Sequence, residues 1–374
     1  MSTNPLLLLQ NEGVSVWLDY LSRDLMNEGG LQKLIDEDGL RGETSNPAIF
    51  QKAISHGESY SEPIHALAKQ GLDAEAICWE LMIGDVQRAC DMFRPLYEAS
   101  EGRHGYVSLE CNPHLADETE AELAQARELW TRVGRPNLLV KVPGTKAGLP
   151  VIEACLYEGI NVNVTLLFAV QRYEEVMEVY LRALERRAAE GKPIDRIASV
   201  ASFFVSRVDT EAEKRLAKIA DPAVPSVLGK IAVANAQVAY EAYERCFGSS
   251  PRWQALAAKG ARVQNPLWAS TSVKNPAYPD TLYVAELIGP DCVNTMPEET
   301  VDAFRDHGVC ARTLNAANAA AAHAVLATLK RLGVDLDDIT LNTLEREGVQ
   351  KFNDAYDQLL KAVSGAREKE LSRA

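Results

Sequence analysis

Short apolar runs alternate along most of the chain with segments whose apolar residues recur every three or four positions. The runs are typical of buried strands, and the wider spacing is typical of helices with one buried face. Strands alternating with helices in one continuous chain predict a parallel (β/α)8 barrel, the TIM barrel, with a doubly wound sheet as the alternative. No G-x-G-x-x-G motif follows any of the runs. The predicted strands cover residues 14–19, 39–43, 106–111, 137–145, 161–166, 197–204, 262–270 and 292–296.

The remaining segments predict helices around this barrel within a single domain of residues 1–374. One helix is expected to begin near residue 209, so that Arg207 lies just before it. The charged tail after Gly365 predicts a frayed surface end. Additional helices beyond the barrel repeat are predicted near residues 226–260 and 315–374.

The apolar run at residues 137–145 contains a lysine, Lys141. A buried strand tolerates an ammonium group only for a reason, because moving a charge out of water is costly. In one interpretation Lys141 lies at the mouth of the strand and extends to water or pairs with a carboxylate. In the other, the amine is held in a dry site where it attacks a carbonyl group and forms a Schiff base.

Polar side chains recur near the carboxyl ends of several predicted strands. In a (β/α)8 barrel these ends meet at one mouth, where the active sites of this fold lie. Two carboxyl groups and one amine are among them, and this convergence favours the Schiff-base interpretation of the lysine. The converging residues are Asp19, Glu110, Lys141, Asn163, Thr165 and Ser202.

Composition and charge limit the classes of molecule that the protein is expected to bind. The formal net charge of −14 disfavours nucleic acid and anionic membranes, so an anionic substrate needs a local positive cluster. The N-terminus lacks the basic flank and length of a signal peptide, and no apolar run approaches the ~18 to 20 residues of a membrane span. Seven cysteines without C-x-x-C spacing suit a reducing compartment. We expect a cytoplasmic protein that needs no metal and no other cofactor.

Five segments carry a family resemblance: WLD at 17–19, TSNPAIF at 44–50, SLECNPHLA at 108–116, NLLVKVPGT at 137–145 and INVNVTLLF at 160–168. Together they resemble the transaldolases of the class I Schiff-base aldolase superfamily, in their longer bacterial form. The resemblance extends over about residues 14–310. It implies a TIM barrel and an enzyme of the pentose phosphate pathway.

The resemblance also implies catalytic roles. Lys141 matches the Schiff-base lysine of the family on the fourth strand. Asp19 matches the residue that moves the hydroxyl proton when the carbon–carbon bond breaks or forms. Glu110 and Thr165 match the pair that handles protons through a water molecule during imine chemistry.

Substrate-binding residues follow from the same resemblance. Asn46 and Asn163 match ligands of substrate hydroxyl groups, although Asn46 before a proline is also a good helix N-cap. Ser202 matches a residue of the dihydroxyacetone pocket, Phe204 one that packs near the catalytic water, and Arg207 the ligand of the acceptor phosphate.

The segment from Ser270 to Asn275 matches the seventh strand of the family more loosely. It is longer than the Ser-x-Arg-Asn pattern of shorter members. Either Ser270 or Ser272 is the matching serine, and Lys274 is the candidate replacement for the arginine.

The resemblance implies transfer of a dihydroxyacetone unit from sedoheptulose 7-phosphate to glyceraldehyde 3-phosphate, giving erythrose 4-phosphate and fructose 6-phosphate. Small-molecule sugar phosphates are therefore the expected partners, and a homo-oligomer is compatible with the sequence. One alternative is a fructose-6-phosphate aldolase-like lyase that releases free dihydroxyacetone. Another is a non-catalytic barrel that binds sugar phosphates.

Overall fold

The computed structural model describes residues 4–56 and 58–372. Within them, eight strands form a closed barrel in which every strand pairs in parallel with its sequence neighbours and the last pairs with the first. The predicted TIM barrel is confirmed, and the doubly wound alternative is wrong. The strands are β1 (Ser15–Leu18), β2 (Gly42–Glu43), β3 (Tyr106–Glu110), β4 (Leu138–Pro143), β5 (Val162–Leu167), β6 (Ser199–Phe204), β7 (Asn265–Ala269) and β8 (Val293–Met296).

Helices surround the barrel, and none of those in the described part of the chain is long and apolar enough to cross a membrane. They are α1 (Pro5–Asn11), α2 (Arg23–Asn27), α3 (Gly30–Glu37), α4 (Pro47–His56), α5 (Ser61–Lys69), α6 (Ala74–Ala99), α7 (Thr119–Val133), α8 (Gly148–Glu158), α9 (Val170–Ala189), α10 (Ser206–Leu216), α11 (Ile231–Phe247), α12 (Pro251–Ala257), α13 (Leu282–Ala285), α14 (Glu298–His307), α15 (Ala316–Arg331) and α16 (Leu344–Ser372).

Strand β2 is only two residues long, and it can lie beside β1 because it contains a glycine. Gly42 is paired with Trp17, and a Cβ atom at position 42 would lie 2.5 Å from the indole ring. No side chain fits at that distance. Gly42 therefore allows the chain to pass close to Trp17 just before the segment Thr44-Ser45-Asn46.

The register of the central strands brings three polar residues into one row. Glu110 on β3 is paired with Lys141 on β4, which is paired in turn with Asn163 on β5. Parallel strands in register present equivalent side chains to the same side of the sheet. The row thus places a carboxyl group, an amine and an amide next to one another near the mouth of the barrel.

Helix α16 packs against α4, α5, α6 and β5, so it crosses the same end of the barrel. Gly348 allows the close approach, because a Cβ atom there would lie 2.9 Å from the side chain of Leu166. The expected frayed end after Gly365 is wrong. The helix continues to Ser372, since Glu370 is buried and Arg367 donates a hydrogen bond to the Leu72 carbonyl oxygen, 2.8 Å away.

The helix after β6 also begins earlier than predicted. Helix α10 starts at Ser206 rather than near residue 209, so Arg207 lies in its first turn and not before it. Ser206 is held in place by the neighbouring strand end, because its backbone N–H donates to the Ser270 carbonyl oxygen. This contact turns the chain into the helix directly after β6.

Candidate active site

A cavity of about 260 Å³ opens at the carboxyl ends of the strands. Ten of the residues predicted from the sequence line it. Glu110 and Asn163 are not in its wall but contact residues that are. The predicted residues in the wall are Asp19, Asn46, Lys141, Thr165, Ser202, Phe204, Arg207, Ser270, Ser272 and Lys274.

Lys141 is almost completely buried, with 5% of its surface exposed. Its Nζ atom donates a hydrogen bond to the carbonyl oxygen of Ser45, 2.8 Å away, and lies 3.5 Å from Oε2 of Glu110. The same atom lies 5.9 Å from the centre of the Phe352 ring. The amine does not extend to bulk water, so the interpretation of a lysine reaching solvent at the strand mouth is wrong. The ion pair with a carboxylate, also part of that interpretation, does form.

Asp19 follows β1 and lines the same cavity. Its Oδ1 atom accepts a hydrogen bond from Thr44 Oγ1, 2.7 Å away, and the two hydroxyl groups of Thr44 and Thr295 are also 2.7 Å apart. Burial raises the pKa of the Asp19 carboxyl group, although the Thr44 hydrogen bond and the charges of Lys141 and Arg207 oppose this shift. The group is therefore suited to accept a proton from a substrate hydroxyl.

Glu110 and Thr165 each present an oxygen atom that has no hydrogen-bond partner within the described residues, Oε2 and Oγ1 respectively. Burial raises the pKa of Glu110, while the neighbouring Lys141 lowers it. Buried polar atoms are normally satisfied, so unpartnered oxygens at a cavity indicate places where a ligand or water binds. Glu110 lies beside Lys141, and Thr165 lines the same cavity as that lysine.

The backbone next to Thr165 is unusual. The register of β5 with β6 is irregular between Val164 and Leu167, and Leu166 has a φ of 56°. A non-glycine residue in this left-handed region is strained, and such strain is concentrated at functional sites. The strained residue, Leu166, directly follows Thr165 in the sequence.

Asn163 links two serines beneath the cavity. Its Nδ2 atom donates to Ser108 Oγ at 3.0 Å, and its Oδ1 atom accepts from Ser202 Oγ at 2.6 Å. All three side chains are buried. The chain of hydrogen bonds fixes the orientation of the amide and of the Ser202 hydroxyl group, which lines the cavity.

Aromatic rings and a guanidinium group form another wall. The Phe204 ring lies 5.3 Å from Phe168 and 6.5 Å from Phe352, measured between centroids. The Arg207 guanidinium carbon lies 5.1 Å from the centre of the Phe204 ring. Burial lowers the pKa of Arg207, and its buried Nη1 atom has no hydrogen-bond partner among the described residues. A partly buried cation with a free donor is suited to bind an anion.

The segment after β7 places both candidate serines at the cavity. Ser270 has a φ of 56°, and its hydroxyl oxygen lies 2.9 Å from that of Ser206. Ser272 accepts a hydrogen bond from the Nζ atom of Lys274, which is exposed at the rim. The positive charges of Lys274 and Arg207 thus face the same space.

Asn46 has two roles in the geometry. Its Oδ1 atom accepts a hydrogen bond from the Ile49 backbone N–H at 3.0 Å, so the residue caps α4 as expected from the Asn-Pro dipeptide. It also lines the cavity. Capping and facing the ligand space are therefore compatible.

Some cavity residues were not predicted from the sequence. Thr44 is the first residue of the TSNPAIF segment, and Thr295 is the penultimate residue of the predicted strand 292–296, so both carried a positional signal. Glu299 lies in the first turn of α14, and Phe352 lies in the first third of α16. Nothing in the sequence indicated that these two residues line the cavity, because each is an ordinary residue of an amphipathic helix.

A second cavity, of about 200 Å³, lies at the opposite end of the barrel. It contains His104, whose Nδ1 is 3.1 Å from Ser15 Oγ and whose Nε2 is 2.9 Å from Arg41 Nη1. Active sites of this fold lie at the other end, so we assign no catalytic role here. Across the described ranges, no group of three or more His, Cys, Asp and Glu side chains has the arrangement of a metal site.

Comparison with known proteins identifies the family of the chain. The model of the Transaldolase/Fructose-6-phosphate aldolase family matches residues 16–363. A transaldolase of Parafrankia sp. is 52% identical over 96% of this chain and 97% of its own length, and one of Mycobacterium tuberculosis is 52% identical over 96% of both. A transaldolase of Acidothermus cellulolyticus is 50% identical over 98% of both chains.

Among solved structures, a putative fructose-1,6-biphosphate aldolase from Coccidioides immitis matches with 11% identity over 96% of both chains. Its TM-score of 0.26 is too low to indicate a shared fold. The fold assignment rests on the closed strand order itself. The extent of the family match and the identity to full-length relatives decide the classification. The chain belongs to the transaldolase/fructose-6-phosphate aldolase family.

Proposed function

We propose that the chain, a transaldolase by its relatives, transfers a dihydroxyacetone unit between sugar phosphates through a Schiff base on Lys141. The observation that carries this mechanism is the position of the lysine. The residue is 5% exposed, and its amine lies 3.5 Å from a carboxyl oxygen of Glu110 and faces a cavity that also contains Asp19. The donor is sedoheptulose 7-phosphate and the acceptor is glyceraldehyde 3-phosphate, which places the enzyme in the pentose phosphate pathway.

The first step joins the amine to the ketone of the donor. Lys141 gives a proton to Glu110, and its nitrogen lone pair adds to the carbonyl carbon to form a carbinolamine. The protonated Glu110 then returns the proton to the carbinolamine hydroxyl, which leaves as water and generates the imine. Thr165 Oγ1, which has no partner among the described residues, binds the water molecule involved.

The second step breaks the carbon–carbon bond. Asp19 removes the proton from the hydroxyl group on the far carbon, the C–O bond becomes a carbonyl, and the aldose product leaves. The electron pair of the broken bond moves into the protonated imine and is stabilised there as an enamine. Addition of the acceptor aldehyde reverses these events, with Asp19 returning the proton to the new hydroxyl group.

Binding of the phosphate group is assigned to Arg207, with Lys274 at the rim. The unpartnered Nη1 atom of Arg207 supplies a donor, and the two cations supply the local positive charge that a chain with net charge −14 needs for an anionic substrate. Asn46 and Ser202 supply an amide and a hydroxyl group for the sugar hydroxyls, and Asn163 orients the Ser202 hydroxyl group from behind.

Borohydride trapping tests the mechanism. The protein is incubated with fructose 6-phosphate, reduced and analysed by peptide mass spectrometry, and we expect a dihydroxyacetone adduct on Lys141. A protein that turns over substrate without any adduct on Lys141 contradicts the mechanism.

A second measurement separates transfer from lysis. Free dihydroxyacetone is quantified with and without an aldose phosphate acceptor, and we expect efficient turnover only with the acceptor. Efficient release without acceptor assigns the chain to the fructose-6-phosphate aldolase-like lyases instead.

A cytoplasmic location and small-molecule sugar phosphates as the partners are part of the same proposal. The seven cysteines are all free thiols, which suits a reducing compartment. Cell fractionation with an antibody against the chain tests the location.

A further inference from the structure

A second buried carboxyl group lies behind Glu110. Glu122, in the first turns of α7, is 1% exposed, and its Oε2 atom has no hydrogen-bond partner in the described part of the chain. The Oε2 atom of Glu110 likewise has no hydrogen-bond partner there, apart from the longer ion pair to Lys141. Two unsatisfied carboxyl oxygens in one region of a core need an explanation.

The two side chains share a small cavity. Its volume is about 10 Å³ of space open to the centre of a water molecule, which is about what a single water needs. Helix α16 covers one side of it with Val349 and Phe352. The other lining residues are Cys111, Pro113, Ala116, Pro143 and Leu166.

The charges around this cavity decide where a proton resides. Burial raises the pKa of Glu122 to about 8, and the nearby carboxyl groups of Glu110 and Asp117 add to the shift. The other titratable groups that interact electrostatically with Glu122 are the thiols of Cys111 and Cys155. Burial raises the pKa of both thiols, so both are neutral. Lys141 faces Glu110 instead.

Two buried carboxyl groups that line one small cavity cannot both be ionised without strong repulsion. The positive charge of Lys141 stabilises the anion of Glu110, whereas Glu122 has no cation beside it among the described residues. The proton shared by the pair is therefore held by Glu122 while Glu110 is ionised.

We propose that Glu122 is a positioning residue for the proton chemistry of Glu110, acting through one water molecule in the cavity that the two carboxyl groups share. This inference rests on the proposed Schiff-base function. When Glu110 gives its proton to the leaving hydroxyl group, the Glu122 carboxyl donates a proton to the water, which passes one of its own to Glu110. The reverse transfer restores the pair, so no proton is gained or lost. The geometry thereby supplies Glu110 with a proton from a neighbouring buried side chain.

The test compares Glu122→Gln with Glu120→Gln, which removes an exposed carboxyl group from the same turns of α7. Turnover of fructose 6-phosphate with erythrose 4-phosphate is measured between about pH 6 and 10, around the shifted pKa. We expect kcat of the wild-type protein and of Glu120→Gln to fall as the pH rises through about 8, because Glu122 then loses its proton. In Glu122→Gln this alkaline limb is absent, since an amide does not ionise.

At pH 7, Glu122→Gln is expected to lower kcat by about 10-fold, below the full effect of a group in direct contact with substrate, with little change in KM. Loss of the alkaline limb together with this kcat effect supports the inference. An unchanged limb in Glu122→Gln, or no limb in the wild-type protein, overturns it. A lower melting temperature with an unchanged pH profile means a purely structural role and also overturns it.

Two further readouts keep the outcome clear. Should Glu122→Gln not fold, NMR of wild-type protein carrying 13C-labelled glutamate side chains must show a carboxyl group that titrates near pH 8, and its absence overturns the inference. Borohydride trapping on Lys141 is run in parallel. No adduct in the wild-type protein defeats the proposed function, whereas an adduct combined with an unaltered pH profile in Glu122→Gln defeats only the role of Glu122.

Discussion

The Nζ atom of Lys141 lies 3.5 Å from the Oε2 atom of Glu110, and the two residues are 5% and 7% exposed. They occupy paired positions on neighbouring strands, so their contact is fixed by the backbone register. A buried amine with a carboxyl group beside it has a proton acceptor at hand before any substrate arrives. Chemistry at the amine therefore depends on both members of this pair.

Replacing Lys141 with alanine is expected to abolish turnover, because no other amine among the described residues occupies the same position beside Glu110. The fold should persist, since Glu110 can take up a proton once its cationic partner is removed. A coupled assay for sugar phosphate conversion, together with circular dichroism, checks both parts. Normal activity in Lys141→Ala refutes the mechanism.

Replacing Asp19 with asparagine is expected to separate the two chemical steps. The Schiff base should still form on Lys141, while turnover should fall by about 10² to 10⁴, the usual contribution of a positioned acid or base. Trapping with borohydride measures the first effect and a steady-state assay the second. Loss of trapping together with turnover would place Asp19 in imine formation instead.

Arg207 and Lys274 are expected to differ in their effects on substrate binding. Arg207→Ala should raise KM for sugar phosphates by at least about 30-fold, equivalent to ~2 kcal/mol for removing a charged hydrogen bond from a desolvated site. Lys274→Ala should raise it by about 5-fold at most, because an exposed charge contributes up to ~1 kcal/mol. Equal effects of the two variants would contradict the assignment of Arg207 as the principal phosphate ligand.

Phe352→Ala is expected to lower kcat several-fold. The ring packs near both Lys141 and Phe204, so its removal admits water and weakens the electrostatic interactions at the amine. Gln350→Ala, an exposed position two residues earlier on α16, is the control and should resemble the wild-type protein. Steady-state kinetics of both variants, measured under the same conditions, test this prediction. A wild-type kcat in Phe352→Ala excludes a role for α16 in the site.

Glu43 provides a stability prediction. It is fully buried, neither carboxyl oxygen has a partner within the described chain, and burial raises its pKa well above the ordinary value. The folded state holds this proton more tightly than the unfolded chain does. The side chain therefore costs stability as the pH rises above the unfolded-state pKa toward the folded one.

Glu43→Leu should accordingly raise the thermal unfolding temperature by about 1 to 4 °C at pH 8 and by less at pH 5, since the buried polar group costs ~1 to 3 kcal/mol. Calorimetry at the two pH values measures the difference. A lower melting temperature at pH 8 would mean that Glu43 has a partner that the unliganded chain does not reveal.

The sequence was sufficient to predict the barrel and the polar residues at its strand ends, because both follow from local periodicity. Asp19, Glu110 and Lys141 fall at the ends of short apolar runs, and the closure of a parallel barrel brings such ends together. The assignment of Phe204 and Arg207 depended on the family resemblance, since aromatic and basic residues at such positions are common elsewhere.

Other features depend on packing over long sequence separations. Phe352 reaches the cavity only because α16 crosses the barrel mouth, and nothing in the helix itself indicates this. Glu43 and Glu122 resemble ordinary charged residues of a strand end and a helix start. Their burial, and the lack of a partner for them among the described residues, depends on neighbouring elements, so the sequence could not reveal it.

The two-residue strand β2 has a consequence for how the site can vary. Thr44 bonds to Asp19, the Ser45 carbonyl oxygen accepts from Lys141, and Asn46 begins α4 while facing the ligand space. Asp19, Lys141 and the helix cap Asn46 are thus supported by three consecutive peptide units, which directly follow the close approach of Gly42 to β1. A shift of this segment by even an ångström would displace all three side chains together. A substitution that moves one of the three residues along the backbone would therefore also move the other two.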